Sequence, residues 1–119
     1  MKKTLVIGAS ENPERYSNKA IVMLREHNYE VLAIGNRGGK VLDVDIVTEK
    51  VQFENIDTIT LYLNAKRQED YYGYILGIKP KRVIFNPGTE NSAFYKILDE
   101  NGIAYEEACT LVLLSTGQY

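Results

Sequence analysis

Two short turns hold the residues whose types and spacing favour ligand binding. The first, Gly8-Ala9-Ser10-Glu11-Asn12-Pro13, follows the apolar run Leu5-Val6-Ile7, and the second, Asn86-Pro87-Gly88-Thr89-Glu90-Asn91, follows Val83-Ile84-Phe85. In open α/β sheets, a strand-to-helix junction presents backbone N–H groups and the positive end of a helix dipole, which favour an anion. The two junctions therefore indicate a phosphate-bearing ligand held across the carboxyl ends of the strands.

The first turn consists of small residues that permit close approach of the backbone to a ligand. Ser10 and Ser17 add hydroxyl donors, and a tight turn without any ligand fits the same residues equally well. Ser10 and Pro13 occupy the places of the second and third glycines of the G-x-G-x-x-G fingerprint, which disfavours NAD. The candidate binding residues here are Gly8, Ala9, Ser10, the basic Arg15, Tyr16 as a platform for a base, and Ser17.

The end of the second predicted strand is basic. Domains that bind NAD place an acid there to hold the ribose diol, but here Ile34 is followed by Gly35-Asn36-Arg37, with Lys40 close behind. Asn36 and Arg37 therefore suit a phosphorylated ribose, as in NADP or coenzyme A (CoA). A solvated basic loop is the alternative.

Two further strand ends are expected at the same edge of the sheet. In the second turn, proline fixes the backbone and glycine allows close approach, so Asn86, Pro87 and Gly88 are candidate contacts. Leu63 and Asn64 end another strand and are expected to border the ligand. A plain strand-to-helix turn is the alternative for the second turn.

The sequence gives little support for a catalytic or metal site. It contains one histidine, His27, and one cysteine, Cys109, which is interpreted as a buried structural thiol. We therefore predict neither catalytic residues nor metal ligands. Tyr71, Tyr72 and Tyr74 on one predicted helix leave open a face for a homo-oligomer or a protein partner.

Charge and composition narrow the class of protein. The 119 residues carry a net charge of −2, with 45% hydrophobic and 25% charged residues. Nucleic acid and acidic membranes are therefore not expected as partners, and any anion site must be local. A single cysteine favours a reducing cytoplasm, and no apolar stretch approaches the roughly 18 residues that a membrane span needs.

The elements that must position these residues alternate between strand and helix. This alternation predicts a single α/β domain over residues 1–119, with a doubly wound, mostly parallel sheet of about five strands flanked by helices. The predicted strands are Thr4–Gly8, Glu30–Ile34, a short edge strand within 40–47, Thr58–Leu63, Arg82–Phe85 and Ile103–Glu106. The predicted helices are Ser17–Asn28 with Ser17 as N-cap, Arg67–Gly77, one from Thr89 or Asn91 to Asn101, and Thr110–Ser115.

Taken together, several motifs resemble one family along nearly the whole chain. They are Gly8-Ala9-Ser10-x-x-Pro13-x-Arg15-Tyr16-Ser17, Asn28-Tyr29-Glu30-Val31, Val83 to Asn91, and Glu107-Ala108-Cys109-Thr110-Leu111-Val112. The chain resembles the small stand-alone CoA-binding domain proteins of bacteria, which are similar to the N-terminal domain of the succinyl-CoA synthetase alpha subunit.

The resemblance implies a Rossmann-like fold with CoA or an acyl-CoA across the carboxyl edge. By position, Gly8, Ala9 and Ser10 would meet the pyrophosphate or pantetheine, and Arg37 would lie near the 3′-phosphate. Asn64 and the turn at 86–88 would line the pantetheine path. The resemblance supplies a binding site and no reaction, so an NADP-type sensor or redox protein and a ligand-free interaction protein remain alternatives.

Overall fold

Seven strands and five α-helices make up the computed structural model, which describes residues 2–119. The strands are β1 Lys3–Ile7, β2 Glu30–Ile34, β3 Gly39–Val41, β4 Val44–Val47, β5 Thr58–Leu61, β6 Arg82–Phe85 and β7 Ala104–Glu107. The helices are α1 Tyr16–Glu26, α2 Ala65–Gln68, α3 Tyr72–Ile78, α4 Ser92–Glu100 and α5 Thr110–Ser115. A 3₁₀ turn, Glu69–Tyr71, joins α2 to α3.

The strands form one sheet in the order β3-β4-β2-β1-β5-β6-β7, and every pairing is parallel except that of β3 with β4. This confirms the predicted Rossmann-like, doubly wound α/β fold. The strand count is seven rather than about five: six strands were predicted individually, and the segment 39–47 forms a hairpin of two strands instead of one edge strand. Val41 pairs with Val44 across its two-residue turn.

The central strands are apolar throughout because both of their faces are covered. Leu5 and Ile7 of β1 pack on one face with residues of α3 and α4, whereas Val6 packs on the other face with residues of α1 and α5. Successive side chains of a strand point to opposite faces, so one buried run supplies both cores. The helices thus divide between the two faces, as the doubly wound topology requires.

The helix boundaries depart from the sequence prediction at two places. The prediction of Ser17 as an N-cap is wrong, because α1 begins one residue earlier and its N-cap is Arg15. The single helix predicted over 67–77 is divided by the 3₁₀ turn. Helix α5 matches its predicted bounds, and α4 has Asn91 as N-cap, with its Oδ1 accepting from Phe94 N at 3.2 Å.

Candidate functional site

A cavity of about 660 Å³ opens at the carboxyl edge of the sheet, where the direction of winding reverses. From β1 the chain proceeds outward through β2 on one side, and later through β5 on the other, so the loops after these strands diverge. Such switch points are the usual ligand sites of open α/β sheets, and the volume lies in the range of cofactor pockets. The lining residues are Gly8, Ala9, Ser10, Glu11, Asn12, Arg15, Tyr16, Ser17, Gly35, Asn36, Arg37, Gly38, Tyr62, Leu63, Arg67 and Tyr71.

The loop after β1 is held by the protein itself at its start. Gly8 has φ +96°, and a Cβ there would lie 2.8 Å from the carbonyl oxygen of Tyr62, so this position requires glycine. The N–H groups of Gly8 and Ala9 both donate to the carbonyl oxygen of Ile34 at 2.9 Å. The close approach expected for a ligand at Gly8 is therefore made by the Tyr62 carbonyl at the end of β5. The N–H groups of Gly8 and Ala9 already donate to β2.

The rest of this loop is ordered by its own side chains. Ser10 Oγ accepts from Asn12 N at 3.1 Å, and Asn12 Oδ1 accepts from Glu14 N at 3.0 Å. Asn18 Nδ2 donates to the carbonyl oxygen of Ser10 at 3.0 Å. The loop thus enters α1 in a fixed conformation.

The start of α1 faces the cavity without a side-chain cap. Arg15 makes no capping hydrogen bond to any residue in the range 2–119, and the first turn contains no acidic residue. The first N–H groups of a helix have no partner within the helix, and the helix dipole adds positive potential there. Tyr16 and Ser17 both line the cavity; Tyr16 is 67% exposed, whereas Ser17 is buried.

The loop after β2 forms the second wall. Gly35 N donates to the carbonyl oxygen of Val47 at 3.0 Å, and a Cβ on Gly35 would lie 2.4 Å from the carbonyl oxygen of Ala9. Asn36 and Arg37 follow as exposed residues on the cavity wall. The tight packing of Gly35 on Ala9 therefore places the Arg37 loop beside the loop after β1.

Glu11 joins these two walls. Its Oε2 accepts from the backbone N–H of Lys40 at 2.8 Å, which ties the first loop to β3. Glu11 is the only carboxylate among the cavity-lining residues that the structure describes. Its charge is thus partly satisfied by a backbone donor.

The third wall follows β5 and includes residues that sequence reasoning missed. Tyr62, Arg67 and Tyr71 line the cavity together with the predicted Leu63. Burial raises the pKa of Tyr62 to about 12, while the hydroxyls of Thr110 and Thr60 act against the rise. Tyr62 therefore stays neutral at physiological pH. Its position next to the end of β5 was the available signal in the sequence.

Four predicted site residues lie outside the cavity lining. Asn64 caps α2, its Oδ1 accepting from Arg67 N at 2.9 Å, and Pro87 and Gly88 form an exposed turn. Asn86 is only 2% exposed and binds inside the protein.

The side chain of Asn86 connects three elements. Its Nδ2 donates to Thr60 Oγ1 at 2.7 Å and to the carbonyl oxygen of Leu61 at 2.9 Å. Its Oδ1 accepts from the first N–H of α5, that of Thr110, at 2.9 Å. The amide, which follows β6, thus uses both hydrogens to bind β5 and its oxygen to bind α5, so this side chain has a structural role.

The charge of the cavity is positive. Arg15 at the start of α1, Arg37 in the loop after β2 and Arg67 in α2 line it, against Glu11 as the one lining carboxylate among residues 2–119. None of the ion pairs found among residues 2–119 includes any of these three arginines. The cavity is therefore suited to an anion with charges at more than one point.

The structure offers little reactive chemistry near this cavity. Cys109, the N-cap of α5, is half-buried rather than buried as predicted, and it is not a lining residue. Residues 2–119 contain no group of three or more His, Cys, Asp or Glu side chains arranged to hold a metal ion. Nor does this part of the chain contain a helix long and apolar enough to cross a membrane.

Comparison with known proteins identifies a family. A family model described as a CoA binding domain matches residues 2–115. The crystal structure of an uncharacterized protein is 48% identical, covers 100% of this chain and 98% of its own, and superimposes with a TM-score of 0.97. No curated protein matches the chain.

Two thermophile proteins share the fold at lower identity. The cell-free ID.343 protein of Thermus thermophilus is 21% identical, with a TM-score of 0.87 over 99% of this chain and 90% of its own. A conserved hypothetical protein from Pyrococcus furiosus is 22% identical, with a TM-score of 0.84 over 94% of this chain and 98% of its own. At these identities the likeness shows the fold alone.

Proposed function

Since the chain belongs to the CoA-binding domain family, as its motifs predicted, we propose that it binds coenzyme A or an acyl-CoA and has no catalytic activity of its own. The observation that carries this proposal is the positive cavity at the switch point of the sheet. CoA carries a pyrophosphate and a separate 3′-phosphate, so it needs positive potential at two points. The cavity offers cations on separate loops that are not paired with carboxylates among residues 2–119.

The two phosphate positions have distinct candidate partners. Arg15 occupies the N-cap position of α1 but its side chain makes no capping hydrogen bond among residues 2–119. The first N–H groups of α1 therefore support a pyrophosphate site. Arg37, exposed on the loop after β2, supports a 3′-phosphate site. Tyr16, exposed beside the first turn, is proposed to stack on the adenine.

The pantetheine is then proposed to cross the carboxyl edge toward the β5 side. Leu63 lines that side, whereas Asn64, Pro87 and Gly88 are not lining residues. We propose that the backbone of the turn at Pro87 and Gly88 contacts the far end of the pantetheine. The side chain of Asn86 stabilises this edge of the sheet through its three hydrogen bonds to β5 and α5.

Binding without catalysis is supported by the chemistry of the cavity wall. Within the described part of the chain, residues 2–119, the cavity lining includes neither histidine nor cysteine, and the carboxylate of Glu11 accepts a hydrogen bond from Lys40 N. Acyl transfer through a covalent acyl-enzyme would need a nucleophilic side chain in hydrogen-bond contact with a general base. We therefore propose a carrier or regulatory module, and the single cysteine supports the cytoplasm as its compartment.

NADP is a second candidate ligand because of Arg37. An arginine after the second strand suits a 2′-phosphate as well as a 3′-phosphate. The first turn argues against NADP, because it lacks two of the three glycines of the dinucleotide fingerprint.

A ligand-free interaction protein receives less support. Two of the tyrosines proposed as an oligomer face make contacts with other residues of the same chain. Tyr72 stacks on Phe94 with ring centroids 4.3 Å apart, and the Tyr74 hydroxyl donates to the carbonyl oxygen of Val51.

Thermal unfolding with a panel of ligands tests these three functions. We expect CoA and acetyl-CoA to raise the midpoint, because a ligand at 100 times its Kd adds about 2.7 kcal/mol to the stability. NADP, NAD and ATP at equal concentration are expected to give smaller shifts. A larger shift with NADP would favour the second candidate, and no shift with any nucleotide at millimolar concentration would overturn the CoA proposal.

A further inference from the structure

Glu11 places a carboxylate in a cavity whose charge is otherwise positive. It lies in the loop after β1, and among residues 2–119 no other acidic residue lines the cavity. A carboxylate beside an anion site weakens phosphate binding by repulsion, unless it meets a hydrogen-bond donor of the ligand. The position of Glu11 therefore points to a donor on the part of the ligand that lies next to it.

The carboxyl group of Glu11 is held in place through one of its two oxygens. Its Oε2 accepts from the backbone N–H of Lys40 at 2.8 Å. The same group lies against Gly39, where a Cβ would clash with it. Its Oε1 has no hydrogen-bond partner among residues 2–119, so a fixed acceptor is left for a ligand.

The charge of Glu11 is not compensated by an ion pair within the described chain. None of the ion pairs among residues 2–119 includes it, and the ammonium group of Lys40 pairs with Asp45 at 3.6 Å instead. An ionised acceptor forms a stronger hydrogen bond than a neutral one. Glu11 is therefore well suited to accept from a hydroxyl group.

The contact with Lys40 N indicates which hydroxyl this is. It puts the carboxylate beside the loop that carries Arg37, the proposed partner of the 3′-phosphate. In CoA the neighbouring carbon of the same ribose carries a free 2′-hydroxyl. Dinucleotide domains hold ribose hydroxyls with an acid at the end of the second strand. Here Ile34 is followed by no acid, and Glu11 reaches this loop from the loop after β1.

We propose that Glu11 accepts a hydrogen bond from the 2′-hydroxyl of the adenosine ribose and so makes the site selective for 3′-phosphorylated ribonucleotides. A phosphate at the 2′ position would meet the carboxylate and be repelled, which disfavours nucleotides of the NADP type. Glu11 is thus a specificity-determining residue of the cavity. This inference rests on the proposed CoA site.

Calorimetric titration with nucleotides that differ at the ribose tests the contact. The probes are adenosine 3′,5′-bisphosphate, its 2′-deoxy form and adenosine 2′,5′-bisphosphate. We expect the unaltered protein to bind the 2′-deoxy form about tenfold more weakly than the ribonucleotide, as for a hydrogen bond to a charged group. The 2′-phosphate isomer is expected to bind at least as weakly as the 2′-deoxy form.

Glu11→Gln separates the ribose contact from the contact with the backbone. Its amide keeps one oxygen for Lys40 N but presents a donor in place of the free Oε1. The preference for the ribonucleotide over its 2′-deoxy form is expected to be largely lost, and the 2′-phosphate isomer is expected to gain affinity. A general change in phosphate affinity cancels from the preference, because both nucleotides are measured on the same protein.

The matched control is Glu14→Gln, which removes the same charge from the same loop at an exposed residue outside the cavity lining. It is expected to keep both preferences. Equal affinity of the unaltered protein for the ribonucleotide and either of the other probes would overturn the role of Glu11 and leave the CoA site intact. So would a preference that persists unchanged in Glu11→Gln. Failure of all three nucleotides and of CoA to bind would overturn the proposed function itself.

Discussion

Arg37 is the residue on which the identity of the ligand depends most. We expect Arg37→Glu to weaken CoA by about 1.5–3 kcal/mol, the range for hydrogen bonds to charged groups. Dephospho-CoA lacks the 3′-phosphate, so its affinity is expected to fall much less. Titration of both ligands into both proteins measures the difference.

Lys96→Glu provides a control with the same charge reversal. Lys96 is exposed on α4 and does not line the cavity. Its reversal is expected to leave both affinities nearly unchanged. Equal losses of CoA and dephospho-CoA in Arg37→Glu would contradict the 3′-phosphate assignment.

Asn86 is expected to act through stability. Replacing it by alanine leaves Thr110 N and the Leu61 carbonyl without their partners in a buried setting. We expect Asn86→Ala to lower the free energy of unfolding by about 1–3 kcal/mol, as measured by urea denaturation. Unchanged stability together with lost CoA affinity would instead support the ligand contact predicted from the sequence.

Some residues of the cavity lining were predicted from the sequence, and others were not. Gly8 and Arg37 were predicted from their places directly after strands, and both line the cavity. Arg67 was missed because it lies inside a helix, where a basic residue carries no local signal of function. Asn86 looks like a ligand contact because its amide suits one, and only the fold shows that the amide is used internally.

At the scale of elements, the start of α1 couples stability to binding. The side chain of Arg15, at the N-cap position, makes no hydrogen bond to the start of α1 among the described residues. An aspartate at this position accepts such a bond from the first backbone N–H groups of a helix. We expect Arg15→Asp to raise the free energy of unfolding by about 0.5–2 kcal/mol and to weaken CoA, because an anion replaces a cation at the pyrophosphate site. Urea denaturation and CoA titration give the two quantities.

Arg15→Ser separates the two effects, because serine also caps a helix but adds no charge. Its stability is expected to rise similarly, with a smaller loss of CoA affinity than in Arg15→Asp. Tighter CoA binding by either variant would contradict the proposed role of this helix start.

The elements differ in how far their local sequence specifies them. The central strands were predictable because their apolar runs are continuous. The β3–β4 hairpin was not predictable, since Leu42 takes the left-handed conformation with φ +53° at its turn. Glycine and asparagine are the residues that normally mark such a turn, so pairing with the sheet must fix it.

Over the whole molecule, half-buried tyrosines contribute to the response of stability to alkaline pH. Burial raises the pKa of Tyr62 to about 12, against about 10 in an unfolded chain. Below pH 10 this tyrosine is protonated in both states and makes no difference to stability. Between pH 10 and 12 the unfolded chain releases a proton that the folded protein retains, so stability falls as pH rises.

Tyr62→Phe removes this titration. Urea denaturation at pH 8 and pH 11 is therefore expected to show a smaller loss of stability in Tyr62→Phe than in the unaltered protein. Tyr74 and Tyr95, whose pKa values burial also raises to about 12, would maintain part of the loss. An equal loss in both proteins would contradict the assignment to Tyr62.

Calorimetric titration of the purified protein with CoA is the decisive measurement for the proposed CoA site. We predict saturable binding at one site per chain, weaker binding of dephospho-CoA, and an affinity that falls as salt screens the arginines. Heats that show no saturable binding at millimolar CoA would contradict the claim that the positive cavity between β1, β2 and β5 is a CoA site.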